Sequence, residues 1–75
     1  PVHGLNLVGP AIRQIRNSRR PKVTLDDLSA RLELSGVFLS KSILSRIENQ
    51  ERSVFDYEVI AISHALGVTL DRLYS

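Results

Sequence analysis

The 75-residue sequence predicts an all-α fold, one compact domain of five helices. Three observations carry that prediction. Apolar residues recur at helical spacing along most of the chain. Good N-cap residues, Thr24, Ser40, Ser53 and Thr69, stand before four of the periodic segments. Pro21, Gly36 and Gly67 interrupt the pattern between segments. No segment reads as a strand, and repeats and low-complexity tracts are absent.

Residues 1–8 (PVHGLNLV) lack a period and are expected to form an N-terminal arm, with residues 9–75 as the folded domain. The first helix opens near Gly9, with Pro10 in its first turn, where a missing N–H costs nothing. Ile12 and Ile15 supply its inner side. NSRRPK ends it, because Pro21 cannot continue a helix and biases Arg20 away from helical angles. Thr24 caps the second helix, and Asp26 and Asp27 stand in its first turn, where the helix dipole favours anions. Leu25, Leu28 and Leu32 share one face, and the helix runs to about Leu34 before Gly36 breaks it.

Ser40 caps the third helix, SKSILSRIEN. On a helical wheel started at Lys41, Ile43, Ile47 and Leu44 lie at about 200°, 240° and 300°. Lys41, Ser45, Asn49, Ser42 and Arg46 fan across about 0° to 140°, a polar strip with two cations and no acid. Ser53 is expected to cap the fourth helix, with Asp56 three residues on as a capping-box variant. Phe55, Val59, Ile62 and Leu66 fall within about 60° of one another, and Val54, Ala61 and Ala65 widen that stripe, so this helix reads as the most buried. Gly67 suits the left-handed position that ends it. Thr69 then caps a short helix, Leu70–Tyr74, anchored by Leu70 and Leu73. The run Val37–Leu39, between the second and third helices, is expected to extend the core.

The net charge of +2 is unevenly placed. Residues 1–41 hold seven Lys/Arg against three Asp/Glu, and residues 42–75 hold three against five. Arg13, Arg16, Arg19, Arg20 and Lys22 form a stretch without an acid. Such a patch attracts a polyanion, although a solvated loop has the same composition. There is no Cys, so neither a disulfide nor a thiolate metal site is expected, and a reducing cytoplasm is the default location. No apolar run approaches the roughly 20 residues of a spanning helix, so no membrane partner is expected.

A helix, a connection and a second helix with an exposed polar strip make a helix-turn-helix plan. Lys and Arg on such a helix reach G O6 and N7 in the major groove, and Ser reads several base edges. GPAIRQIR (9–16), TLDDLSARL (24–32), SKSILSRIEN (40–49) and ALGVTLDRLY (65–74) together resemble the Cro/C1-type (Xre-type) helix-turn-helix regulators. The resemblance implies a lambda-repressor-like five-helix domain that binds double-stranded DNA sequence-specifically as a homodimer, at the nucleoid. It places base contacts at Lys41, Ser42, Ser45 and Arg46. DNA-backbone contacts are expected from Thr24, Ser40 and Asn49, and from Arg19, Arg20 and Lys22 in the basic stretch. It also pairs Arg16 with Glu48 inside the fold, in keeping with the wheel position of Glu48 at about 340°, on the border of the apolar face; the alternative is a surface Glu worth under about 1 kcal/mol.

The chain departs from that pattern in places. Arg16 and Thr24 are eight positions apart. Leu28 and Ile47 are 19 apart, so residues are added around ELSGVF, in the connection between the two helices of the motif. Leu25 stands where phage-repressor relatives often carry a DNA-contacting Gln, and Gln50 replaces the usual Gly after "EN".

An enzyme is not expected. His3 and His64 have no partners at triad spacing, there is no phosphate-cradling Gly loop or metal-ligand cluster, and no cofactor is implied. A domain this small is also expected to lack room for a substrate pocket of about 300 Å3. Two further readings remain: the DNA-binding antitoxin of a toxin–antitoxin pair, and a helical module that binds a protein partner without binding DNA.

Overall fold

The computed structural model describes residues 4–75. Its helices are α1 (Gly9–Ser18), α2 (Leu25–Leu34), α3 (Lys41–Glu48), α4 (Asp56–Leu66) and α5 (Leu70–Tyr74), with no strand among the described residues. The all-α, five-helix expectation therefore holds. α2 packs against α3 and α4, α1 packs against α3 and α5, and α4 also meets α5. Ile12 and Ile15, Leu28 and Leu32, Leu44 and Ile47, Val59, Ile62 and Leu66, and Leu73 all face one core. Each such side chain stabilises the fold by about 1.5–3 kcal/mol relative to exposure.

Local chemistry explains the helix starts. Thr24 Oγ1 accepts from the Asp27 amide at 3.0 Å, and the Thr24 amide donates to Asp27 Oδ2 at 3.0 Å, a complete capping box. Ser40 Oγ accepts from the Ile43 amide at 3.2 Å. Thr69 Oγ1 accepts from the Arg72 amide at 3.2 Å. At the front of α1 the capping oxygen belongs to Asn6, whose Oδ1 accepts from the amides of Val8 and Gly9.

Three helices end in the same way. Gly36, Gln50 and Gly67 all have positive φ (85°, 61° and 69°). Each donates its amide to a carbonyl three residues back, and the next amide reaches five residues back: Val37 to Leu32, Glu51 to Arg46, Val68 to Ser63. These are Schellman closures, in which a left-handed residue lets two orphan carbonyls be satisfied. Two of the three use Gly, and the closure of α3 uses Gln.

Of the expected arm, residues 1–3 lie outside the described residues, and residues 4–8 are tied to the domain: Val8 is buried, and the Leu5 amide donates to the Gln50 carbonyl at 3.0 Å. Other expectations need correction. α4 begins two residues later than expected, at Asp56, with Phe55 rather than Ser53 in the cap position. The Glu58 carboxylate decides this, because it is buried and accepts from the Phe55 amide at 3.0 Å and from Arg52 Nη1 at 3.0 Å. Phe55 therefore precedes the helix, leaves the apolar stripe and lies exposed, its ring stacked on Tyr57 at 5.8 Å. Leu70 is also exposed, so Leu73 alone fully buries its side chain for α5. In the connection, Leu39 is buried and Val37 packs against the core, but Phe38 is 72% exposed. Residues 37–40 are not helical, and in extended chain alternate side chains point opposite ways.

Candidate nucleic-acid interface

The outer face of α3 carries Lys41, Ser42 and Arg46 exposed and Ser45 half-buried. Leu44 and Ile47, on the opposite face, are fully inside. Glu48 is the one acid of α3, and it is 4% exposed, so the helix presents cations outward while its carboxylate is internal.

Glu48 fixes the seat of α3 on α1. Arg16 Nε donates to Glu48 Oε2 at 2.6 Å and Arg16 Nη2 to Oε1 at 2.8 Å, a two-point fork. The third arm of that guanidinium, Nη1, donates to the Val23 carbonyl at 2.9 Å. Hydrogen bonding to Glu48, assisted by the carboxylate charge, holds the Arg16 pKa above its ordinary value against the opposing effect of burial. Arg13, one turn earlier on α1, also donates from Nε to Glu48 Oε1 at 3.2 Å and from Nη2 to Asn49 Oδ1.

Backbone ties complete the seat. Asn6 Nδ2 donates to the carbonyls of Ile47 and Arg52, both at 2.9 Å, and Gln50 Nε2 donates back to the Asn6 carbonyl at 2.9 Å. Gly9 lies so close to α3 that a Cβ there would sit 2.3 Å from the Ile47 carbonyl oxygen. At the other end of α3, Ser29 Oγ on α2 donates to the Leu39 carbonyl at 2.7 Å. The lengthened connection thus does not leave α3 loose: Leu39 and Ser29 hold its entry, and Arg16, Arg13 and Asn6 hold its exit.

The expected backbone-contacting residues do not form one group. Ser40 and Asn49 lie at the two ends of α3. Thr24 is exposed, but its amide is used within the capping box beside Asp26 and Asp27, whose charges oppose a phosphate. Arg19 Nη2 donates to the Leu66 carbonyl at 2.7 Å, so that side chain is drawn to the end of α4. Arg20 folds back onto the carbonyls of Asn17 and Arg19. Lys22 is exposed.

Sequence reasoning placed Arg13 in the basic stretch but missed its tie to Glu48 and Asn49, and missed Asn6, Ser29 and Glu58. For Arg13 a signal exists, since a residue three positions before Arg16 shares its helix face. Asn6 carries a local signal only for its cap of α1, since its Oδ1 serves Val8 and Gly9; the two carbonyls its Nδ2 reaches lie 41 and 46 residues away and leave none. An open groove of about 690 Å3 runs between α1 and the end of α3, lined by residues that include Arg13, Gln14, Asn17, Asn49 and Gln50.

No group of acidic or His side chains suited to a metal occurs among the described residues. No helix there is long and apolar enough to cross a membrane. Compared with known protein families, curated proteins and solved structures, the chain matches none.

Proposed function

We propose that this chain binds duplex DNA sequence-specifically, as a small bacterial or phage-type transcriptional regulator of the Cro/C1 (Xre-type) kind. The observation that supports it is the outer face of α3, where Lys41, Ser42 and Arg46 stand exposed while Glu48 is internal. A helix of this width fits the major groove, where Lys41 and Arg46 donate to base edges and Ser42 and Ser45 allow close approach. Ser40 and Asn49 then meet the phosphates at either end of the helix. The protein acts as a homodimer at the nucleoid, reading two half-sites about 34–36 Å apart.

The test is selection from a random duplex pool at about 50 and about 200 mM salt, where phosphate contacts make affinity fall steeply. Enrichment of a palindrome with half-sites about ten base pairs apart is the expected result. Arg46→Ala should relax one base-pair position and weaken binding by about 1–3 kcal/mol. An unchanged binding motif for that variant would sink the assignment of α3 as the reading helix.

One observation favours a second reading. Phe38, in the connection, is 72% exposed, which suits a protein partner. Absence of DNA binding at either salt, together with a partner lost on Phe38→Ser, would favour that reading.

A further inference from the structure

We propose that the groove between α1 and the end of α3 receives a phosphodiester of the bound DNA, gripped by Arg13 together with Asn49. This inference rests on the DNA-binding reading and adds a backbone contact from outside the helix-turn-helix.

Arg13, Arg16 and Glu48 form one cluster with two cations and one anion. Arg16 takes the two-point fork on the carboxylate and is almost wholly inside, with its side chain 8% exposed. The uncompensated positive charge therefore resides on Arg13, whose side chain is 48% exposed at the wall of the groove.

Arg13 uses its Nε–Nη2 edge on Glu48 and Asn49. A guanidinium is planar with five donors, so the remaining N–H groups, Nη1 included, point away from that edge. Among the described residues no acceptor takes the Nη1 protons. The same bond orients Asn49: its Oδ1 accepts from Arg13, so its Nδ2 faces the other way as a donor. Asn49 belongs to the polar strip of α3, at about 80° on the wheel, while Glu48 sits at about 340°. Arg13 bridges those two residues and so borders the strip on the side of α1.

Gln14, Asn17 and Gln50 give the groove neutral amides, and its one carboxylate, Glu48, is already paired. A prefixed cation beside the Asn49 amide donor, with no free acid, matches a phosphate oxygen.

The test compares the salt dependence of affinity for the selected duplex between about 50 and about 200 mM, for the wild type, Arg13→Gln, Arg13→Lys and Asn49→Asp. Losing one phosphate contact lowers the slope of log K against log salt by about 0.9. Arg13→Gln should therefore lose about 3.5-fold less affinity than the wild type over that fourfold rise in salt. Arg13→Lys should keep the wild-type slope. Asn49→Asp sets a carboxylate against Arg13 without removing it and should flatten the slope as Arg13→Gln does. The preferred sequence should be the same for all four proteins.

A wild-type slope in Arg13→Gln or in Asn49→Asp would overturn the inference. Equal flattening in the Gln and Lys variants would also overturn it, because Arg13 would then act by holding Glu48 rather than by charge. A changed sequence preference in Arg13→Gln would make the contact one to a base. Failure of the DNA-binding reading is visible separately, before any substitution, as absence of binding by the wild type, and this inference falls with it.

Discussion

Replacing Glu48 by Gln tests what holds α3 in place. The substitution keeps the shape of the side chain and removes its charge. The Glu48 side chain is 2% exposed and that of Arg16 is 8% exposed, so the Arg16 charge would stay inside without its counterion. Arg16 would keep its bond to the Val23 carbonyl, and one amide oxygen would have to serve both arginines. Breaking a buried pair by removing one partner costs about 3–5 kcal/mol. A domain of this length has a total stability of about 4–11 kcal/mol. Each kcal/mol moves the melting temperature of a domain of 60–100 residues by about 4–8 °C. Glu48→Gln should therefore lower Tm by at least about 12 °C, measured by circular dichroism at neutral pH. The control is the double variant Arg16→Met/Glu48→Leu, since apolar residues of similar volume often replace a buried pair at no loss. It should melt well above Glu48→Gln. A fall of less than about 4 °C for Glu48→Gln would put the pair in the range of a surface salt bridge and refute the reasoning.

Gln50→Ala keeps the positive φ and loses the bond to the Asn6 carbonyl, whereas Gln50→Gly loses the bond but relieves about 1–2 kcal/mol of backbone strain. In urea unfolding the Gly variant should be the more stable of the two by about 1 kcal/mol, and the reverse order would contradict the account of how α3 closes. Asp27 has its pKa held below the ordinary carboxylate value by accepting from the Thr24 amide, then by its exchange with the Thr24 hydroxyl. A depressed folded pKa means that this stabilisation is present above the unfolded pKa and is lost as pH falls through the folded one. Wild type and Asp27→Asn should therefore differ in Tm at neutral pH and converge in acid. Convergence on raising the pH instead would reverse the sign of the argument.

How much of this was legible from residues alone depended on the range of the interaction. Thr24, Ser40, Thr69 and Gly67 act within a few residues of themselves, so periodicity and capping chemistry located α2, α3, α5 and the end of α4. The start of α4 was misread because Glu58 reaches back to the Phe55 amide and competes successfully with Ser53. Phe55 has extended backbone (φ −74°, ψ 154°), so its wheel position has no meaning and its burial could not follow. The apolar run at 37–39 was read as one unit, although extended backbone splits it into inward Leu39 and outward Phe38. The outward face of α3 was legible because its helix is regular. The struts that orient it from Asn6 and Ser29 were not, because they join distant parts of the chain through backbone carbonyls that no side-chain pattern marks.

The anchoring of Leu39 has a consequence for engineering. Because Leu39 and Ser29 clamp the chain just before α3, the stretch from Ser35 to Phe38 is mechanically upstream of the clamp. Val37 must stay, because its amide closes α2 on the Leu32 carbonyl and its side chain packs on the core, whereas Phe38 beside it is exposed. A fluorophore on Phe38→Cys should therefore ride on the domain without turning α3. The connection offers a labelling port beside α3, from which the binding proposed for that face can be watched by energy transfer.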